Sequence, residues 1–239
     1  MRDLARRFGG VRAIDGVSLD IAEGERRAVI GPNGAGKTTL FNVLSGEIAP
    51  TAGRIELFGA DVTGMRPWRL ARRGLGRVYQ RAELFASLTA AENVELALGA
   101  RAAIPLGRRD PAARGRATEL LARVGLAGRE QIRPVALSHG ERRQLEVALA
   151  LAAGPRLLLL DEPTAGMSPA ETARIVELVA ALPRAITLVV IEHDMDVVFR
   201  LADRITVLHQ GRVLAEGEPS AVRSDERVRE VYLGAEAIA

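Results

Sequence analysis

Apolar residues follow two different spacings along this chain, and each spacing predicts a different kind of element. Val17, Leu19 and Ile21 alternate with polar residues, which predicts a half-buried antiparallel strand. Two predominantly apolar runs, residues 157–160 and 185–191, predict central parallel strands that are buried on both faces. We therefore expect a one-sided β-structure near the start of the chain and a covered sheet later.

The remaining predicted elements alternate along the sequence. They are strands at residues 28–30, 53–58 and 75–79, helices at 38–45, 66–73, 89–98 and 118–124, a surface loop at 99–115, and a terminal hairpin of 204–208 with 212–215. A β-rich start, a helical middle and alternating strands and helices at the end predict an α/β core that carries an inserted helical subdomain.

Composition indicates a globular protein. The 239 residues are 48% apolar and 26% charged, which suits one large domain. No apolar run approaches the roughly 18 residues of a membrane helix, and the N-terminus lacks the apolar segment of a secretory signal. Zero cysteines exclude disulfides and cysteine-bound metal sites. We expect a soluble intracellular chain.

Charge gives little support for a nucleic-acid partner. The 33 basic residues exceed the 30 acidic ones by only three and are interspersed with them. Aromatic residues make up 3% of the chain, too few for stacking on bases. We expect no nucleic acid among the partners.

The only lysine of the chain lies in a glycine-rich segment, residues 31–39. Gly31, Gly36, Lys37 and Thr38 match the P-loop pattern G-x4-G-K-[ST]. Glycines let backbone amides close around phosphate oxygens, the lysine supplies a compact charge between β- and γ-phosphates, and the threonine hydroxyl suits Mg²⁺. A predicted strand before the segment and a helix after it favour this interpretation over a plain strand-to-helix turn.

Two carboxylates follow the predicted strand at 157–160. Asp161 at the strand end suits Mg²⁺ binding, and the adjacent Glu162 suits general-base activation of water. Pro163 keeps the residue before it extended, which fixes the direction of that carboxylate. An ordinary acidic strand end is the alternative, and the P-loop upstream favours the catalytic reading.

A second phosphate-binding surface is predicted at LSHGE. Ser138 and Glu141 match the capping box of a helix, and Gly140 lets another surface approach the amides of its first turn. One P-loop provides one phosphate cradle, so a second one is most simply used on the nucleotide of a partner. The sequence therefore predicts a dimer.

Three further residues are candidates on position alone. His193 follows the strand at 185–191, where it would reach a γ-phosphate or the attacking water. Gln80 follows the strand at 75–79 and offers an amide to Mg²⁺ or water. Phe8 suits stacking on adenine. Each has a plain alternative: a solvated bystander for His193, no role for Gln80, and a core position for Phe8.

In combination, GPNGAGKTT, Gln80, LSHGE, LLLLDEP and His193 resemble the ATP-binding subunit of ATP-binding-cassette (ABC) transporters. FNVLSGE, DEPTAGMSP, VVIEHDMDVVF and the YLG ending look most like the subfamily that energises import of branched-chain amino acids, with urea and amide importers close by. The resemblance implies a P-loop NTPase (RecA-like) α/β core at 1–83 and 151–239, with an N-terminal antiparallel β subdomain, and a helical subdomain at 84–150.

The same resemblance implies a role for each matching residue. The implied roles are phosphate binding by Asn33, Gly34, Ala35, Gly36, Lys37, Thr38 and Thr39, Mg²⁺ binding by Thr38, Gln80 and Asp161, base catalysis by Glu162, a switch role for His193, adenine contact by Phe8, coupling to the membrane subunits by Gln80, and contact of Ser138 and Gly140 with ATP on the opposite subunit. His139 and Glu141 depart from the usual L-S-G-G-Q, and residues 165–168 lack the aspartate often found there, which puts cross-subunit contacts of that loop in doubt.

The implied function is ATP hydrolysis that drives uptake of a small polar solute, with branched-chain amino acids as first candidate. ATP and Mg²⁺ are the implied cofactors. Implied partners are a second ATPase subunit, identical or related, two transmembrane permease subunits, and a periplasmic or extracellular solute-binding protein, at the inner face of the cell membrane. A urea or amide importer and an exporter stay open as alternatives. A tandem nucleic-acid ATPase does not fit in 239 residues, and the presence of Glu162 disfavours a regulator without turnover.

Overall fold

A computed structural model describes residues 1–80, 84–101 and 112–236, and within it the chain divides into two compact units. The first comprises Met1–Arg73 and the segment from Thr187 onward, and the second is Gly74–Ile186. The predicted α/β class is confirmed. The subdomain boundaries predicted from the sequence stay a prediction.

A run of four hydrogen-bonded strands forms the centre of the first unit. Its order is β11 (Arg212–Gly217), β10 (Arg204–His209), β3 (Arg26–Ile30) and β9 (Thr187–Ile191). β3 runs parallel to both of its neighbours, and β10 and β11 form the predicted antiparallel hairpin. Every residue of β3 and β9 is buried, as expected of parallel strands covered on both faces.

The N-terminal segment forms a smaller antiparallel sheet. β1 (Arg2–Phe8) lies between β2 (Val11–Val17) and β4 (Ala52–Arg54), and β5 (Glu56–Leu57) pairs with β6 (Ala60–Asp61). The prediction of a strand through Ile21 is wrong, because β2 ends at Val17. Leu19 is nevertheless buried and exchanges backbone hydrogen bonds with Met1. The alternation of apolar and polar residues therefore correctly indicated that Leu19 is buried, but it did not indicate a continuous strand.

Five helices complete the first unit. They are α1 (Lys37–Leu44), α2 (Pro67–Arg72), α7 (Met195–Leu201), α8 (Pro219–Ser224) and α9 (Glu226–Glu236). α1 follows β3 after a six-residue loop and buries Leu40, Phe41 and Val43. The predicted strand–loop–helix arrangement around the lysine is therefore present.

In its described residues, the second unit joins a parallel strand pair to four α-helices. β7 (Leu75–Val78) pairs with β8 (Leu157–Asp161), and the helices are α3 (Ala90–Arg101), α4 (Ala113–Arg123), α5 (His139–Ala152) and α6 (Pro169–Ala180), with a 3₁₀ turn at Pro134–Ala136. α3 extends three residues into the predicted loop at 99–115, and residues 102–111 of that loop lie outside the described residues. In the parts of the chain that the structure describes, no helix is both long and apolar enough to cross a bilayer.

Candidate active site

The loop between β3 and α1 needs glycine at two positions. Gly36 caps α1 with φ 105°, and a Cβ there would overlap the carbonyl oxygen of Ala13. Gly31 has φ 148°, and a Cβ there would overlap the carbonyl oxygen of Leu208. Glycine at these two positions therefore allows the loop to pack directly against neighbouring backbone. This packing fixes the orientation of the backbone amides of the loop.

Lys37 is folded back onto this loop. Its side chain is buried, and its Nζ donates to the carbonyl oxygens of Gly31 at 2.6 Å and Pro32 at 3.1 Å. The first turn of α1 contains no acidic residue, so the positive end of that helix adds to the lysine charge. A cation, a helix N-terminus and a glycine loop on one element fit a phosphate group.

The other predicted loop residues lie on the same segment. Asn33, Gly34 and Thr38 are exposed, and a Cβ at Gly34 would meet open space. Ala35 is buried, and its carbonyl oxygen accepts a hydrogen bond from Gly211 at 3.0 Å. The exposed members face solvent, where a phosphate would approach.

His193 lies beside this loop at the sheet edge. Val29 of β3 pairs in parallel register with Ile191 of β9, so Gly31 and His193 each follow a paired residue by two positions. His193 is exposed, and its backbone amide donates to the Glu192 carboxylate at 3.2 Å. The structure thus brings the predicted switch histidine to the same edge as the P-loop.

Phe8 is not a core residue. Its side chain is 46% exposed at the end of β1, and the Arg6 guanidinium lies 4.6 Å from the centre of its ring. The core alternative is excluded, and the aromatic face that adenine stacking requires stays a prediction.

The two strands of the second unit bring three predicted side chains to one edge. β7 and β8 are parallel with Val78 opposite Leu160, and Gln80 and Glu162 each lie two residues further on. Gln80 Nε2 donates to Glu162 Oε2 at 2.8 Å. Asp161 accepts a hydrogen bond from Arg77 Nη2 at 3.1 Å within a buried ion pair. Burial raises the pKa of Asp161, and the Arg77 charge opposes that rise.

Glu162 occupies the left-handed region of backbone space, with φ 47°. Non-glycine residues rarely adopt this conformation, which persists only where the surrounding structure holds it and which is enriched at active sites. The prediction of an extended Glu162 before Pro163 is wrong: the carboxylate is directed by a turned backbone.

The backbone around Glu162 is bound by Arg143, a residue that the sequence patterns do not predict. Arg143 of α5 is buried and makes five hydrogen bonds, four of them to backbone carbonyl oxygens. Gly140, Arg143, Val147 and Leu151 lie on one buried face of α5. A charged residue at an apolar-face position was the available signal.

The first turn of α5 is capped as predicted. The Ser138 hydroxyl accepts from Glu141 N at 3.2 Å, and the Glu141 carboxylate accepts from Ser138 N at 2.8 Å. The Gly140 amide donates to Glu171 Oε1 of α6 at 3.1 Å, and His139 Nε2 lies 3.2 Å from the Ala165 carbonyl oxygen. The contact with a partner's phosphate stays a prediction, and in the single chain a carboxylate lies at that helix end.

The pKa of Glu171 reflects its position. Hydrogen bonds from Ser168, and then from Gly140, lower it to about 2. A carboxylate held at the positive end of α5 behaves as an anion bound there would. Sequence reasoning did not identify Glu171.

Two of the residues predicted to bind Mg²⁺ carry oxygen donors. Within residues 1–80, 84–101 and 112–236, no three acidic or histidine side chains cluster closely enough to hold a metal ion by themselves. A carboxylate from Asp161 and a hydroxyl from Thr38 are typical protein ligands of Mg²⁺, which takes its other ligands from phosphate and water. Each of the two residues thus offers a ligand type that the ion accepts, and a metal site formed by Thr38, Gln80 and Asp161 stays a prediction.

A glycine loop with its lysine between a buried strand and a helix, and an acidic pair ending a parallel strand, define a P-loop nucleoside-triphosphate-binding protein. The chain belongs to the ABC transporter family, whose profile matches residues 14–165. It is an ATPase of the ATP-binding-cassette type, so the predicted family is confirmed. Residues 212–238 match a second profile, described as branched-chain amino acid ATP-binding cassette transporter.

Individual relatives agree with this assignment. The chain is 39% identical to the high-affinity branched-chain amino acid transport ATP-binding protein BraF of Pseudomonas aeruginosa, over 97% of this chain and 95% of BraF. The ADP conformation of MJ1267, an ATP-binding cassette, is similar in structure with TM-score 0.88 and 30% identity, over 98% of this chain and 97% of that one. A dimeric post-hydrolysis state of MJ0796 bound to ADP and Pi has TM-score 0.78 and 29% identity, over 91% and 97% of the chains.

Proposed function

We propose that this chain is the ATP-hydrolysing subunit of an importer for branched-chain amino acids. The observation that carries the substrate class is the match of residues 212–238 to the profile of branched-chain amino acid cassettes. The similarity to BraF over 97% of the chain supports the same class. The P-loop and the acidic pair support hydrolysis but are independent of the solute.

Phosphate binding is assigned to the P-loop. The amides of residues 34–39 and the Lys37 ammonium would hold the phosphates, and Lys37 would exchange its hydrogen bonds to Gly31 and Pro32 for phosphate oxygens. Thr38, Gln80 and Asp161 would hold Mg²⁺, which supplies positive charge to the β- and γ-phosphates. Phe8, whose ring is half-exposed, would stack on adenine.

Water activation is assigned to Glu162. Its carboxylate is held by Gln80 at 2.8 Å, so that the direction of one oxygen is set before water arrives. His193, exposed beside the P-loop, would orient the γ-phosphate or the water. Gln80 would also couple nucleotide binding to the membrane subunits.

A second cassette completes the proposed assembly. Ser138 and Gly140 would contact ATP held by the opposite subunit, identical or related, as a dimeric relative such as MJ0796 supports. Two transmembrane permeases and a solute-binding protein would complete the importer, with this chain on the cytoplasmic face of the membrane. The absence of a membrane-spanning helix from the described residues is compatible with that peripheral position.

The test reconstitutes the chain with its membrane subunits in proteoliposomes. Leucine, isoleucine or valine on the cognate binding protein should stimulate ATP hydrolysis at least several-fold, with uptake of the amino acid. Stimulation by urea or a short-chain amide in their place would reject the substrate class. Solute leaving the cytoplasmic side during hydrolysis would reject import, and absence of ATP hydrolysis with every solute would reject the function.

A further inference from the structure

The guanidinium of Arg143 connects α5 to both catalytic strand ends. Its Nη1 donates to the carbonyl oxygen of Tyr79 at 2.6 Å, one residue before Gln80. Its Nη2 donates to the carbonyl oxygens of Asp161 at 3.2 Å and Glu162 at 2.7 Å, and its Nε donates to that of Pro163 at 3.0 Å. One side chain therefore binds the backbone of three consecutive residues and of a second strand.

This use of a buried charge is unusual. Arg143 is 6% exposed, and its ion-pair partner is Glu146, one turn along the same helix at 2.7 Å. Burying a cation is costly unless every donor is satisfied. The five hydrogen bonds of Arg143 meet that requirement, and four of them bind backbone carbonyl oxygens.

The segment it holds includes the strained residue of the site. Glu162 has φ 47°, which its neighbours must impose because an isolated glutamate avoids that region. Rotation of the peptide after Glu162 would displace the Glu162 carbonyl oxygen that Arg143 binds. The same rotation would change the direction of the Glu162 carboxylate. The bond at 2.7 Å is thus placed where it controls the catalytic side chain.

We propose that Arg143 is a positioning residue for ATP hydrolysis: its guanidinium holds the left-handed peptide of Glu162 and thereby sets the carboxylate beside Gln80. This inference rests on the proposed function, since it assigns the base role to Glu162. Arg143 projects from α5, whose N-terminal end is formed by the cap residue Ser138 and by Gly140, so it also links that end of the helix to the base of the same chain. Lysine would keep the charge but has one donor atom where arginine has a planar fork of three nitrogens.

The experiment compares Arg143→Lys with the matched control Arg142→Lys, the same change one residue away on α5. Both are assayed in the reconstituted transporter, with rates expressed per bound fluorescent ATP analogue so that unfolded protein does not count. A displacement of about 1 Å at a reacting group costs on the order of 100-fold in rate. Arg143→Lys should lower kcat by roughly that factor with KM for ATP changed less than about threefold, and Arg142→Lys should match wild type.

A second comparison separates positioning from a general loss of stability. In a Glu162→Gln background, adding Arg143→Lys should lower the residual hydrolysis no further, because the group that Arg143 positions is already lost. If Arg143→Lys fails to fold, the uncharged Arg143→Gln is used with the same expectations. A kcat equal to wild type, a KM that rises in step with the fall in kcat, or additive losses would overturn the proposal. Wild-type protein without hydrolysis would instead reject the proposed function.

Discussion

At the scale of single residues, the conformation of Glu162 links strain to catalysis. A left-handed non-glycine residue costs about 1–3 kcal/mol, and here it falls on the proposed base. Four backbone carbonyls bound by Arg143 and one side-chain bond to Gln80 offset that cost locally. The site is therefore arranged before any substrate arrives.

Replacing Glu162 by Gln tests the base assignment. The amide keeps the size of the side chain but has no basic oxygen that accepts a proton from water. We expect ATP binding within about threefold of wild type, turnover reduced by about 10³-fold or more, and an ATP-bound dimer that persists in gel filtration. Hydrolysis at a normal rate would show that another group is the base.

Replacing Lys37 by Ala tests the phosphate assignment. The substitution removes the only side-chain cation of the loop, so the nucleotide loses a charge-assisted contact with its phosphates. We expect ATP affinity measured by titration calorimetry to fall at least tenfold, about 1.4 kcal/mol, with unchanged circular dichroism. ATP binding equal to wild type would reject the P-loop interpretation.

The residues that sequence reasoning found and those it missed differ in how their contacts are made. Lys37, Asp161 and Glu162 act through local geometry, where a strand end or a helix start fixes their place, so spacing reveals them. Arg143 bonds to backbone carbonyls that lie 18 to 64 residues away in the sequence. Glu171 bonds to a backbone amide 31 residues away. Such distances follow from the packing of α5 and have no fixed sequence spacing.

At the scale of elements, α5 and α6 share one carboxylate. Glu171 closes the capping box of α6 with Ser168 and also accepts from the Gly140 amide in the first turn of α5. Ser138 and Glu141 complete the cap of α5 itself. The start of α5 is thus held both by its own cap and by the start of α6.

Glu171 should make stability sensitive to acid. Its folded pKa of about 2 lies below the ordinary value of 4.5, so the stabilisation is complete above pH 4.5 and is lost as pH falls toward 2. Glu171→Gln should be less stable than wild type near neutral pH, and the difference should shrink between pH 4.5 and 2. Urea unfolding at several pH values measures it, and a difference that grows on acidification would contradict the assignment.

Replacing Ser138 by Arg tests the dimer-facing role of α5. The larger, charged side chain would obstruct the surface where a second nucleotide is expected. We expect ATP binding by the monomer to stay unchanged while ATP-dependent dimerisation, followed by light scattering in the Glu162→Gln background, disappears. Loss of ATP binding by the monomer would instead place Ser138 at the nucleotide of its own chain.

At the scale of the whole molecule, the buried Arg27 joins three strands of the first unit through hydrogen bonds and ion pairs. Arg27 of β3 is 1% exposed and bonds to Glu25 at 2.6 Å, Glu216 at 2.8 Å and Thr206 at 2.9 Å. These partners lie before β3 and on β10 and β11, so the ion pairs join the strands of the hairpin to the central strand. The sequence pattern predicts these strands but not this cluster, because no motif marks a buried arginine within a strand.

Arg27→Met should destabilise the fold strongly. The change removes the buried cation beside Glu25 and Glu216, of which Glu216 keeps its ion pair with Arg204, and we expect a cost of about 3 kcal/mol, the lower end for a broken buried pair. For a chain of this length that corresponds to a Tm lowered by about 10 °C. Differential scanning calorimetry measures the shift in Tm. The control is Arg54→Met at an exposed position, which should change the free energy of unfolding by less than about 0.5 kcal/mol. Equal melting of the two variants would refute the structural role.

The single lysine has a practical consequence for work on the isolated protein. Amine-directed reagents meet one ε-amino group, that of Lys37, besides the α-amino group of Met1. Because Lys37 is buried and bonded to its own loop, its rate of labelling and its single side-chain ammonium resonance report on that loop without any engineered tag. A spectroscopist can therefore follow nucleotide capture from one native atom.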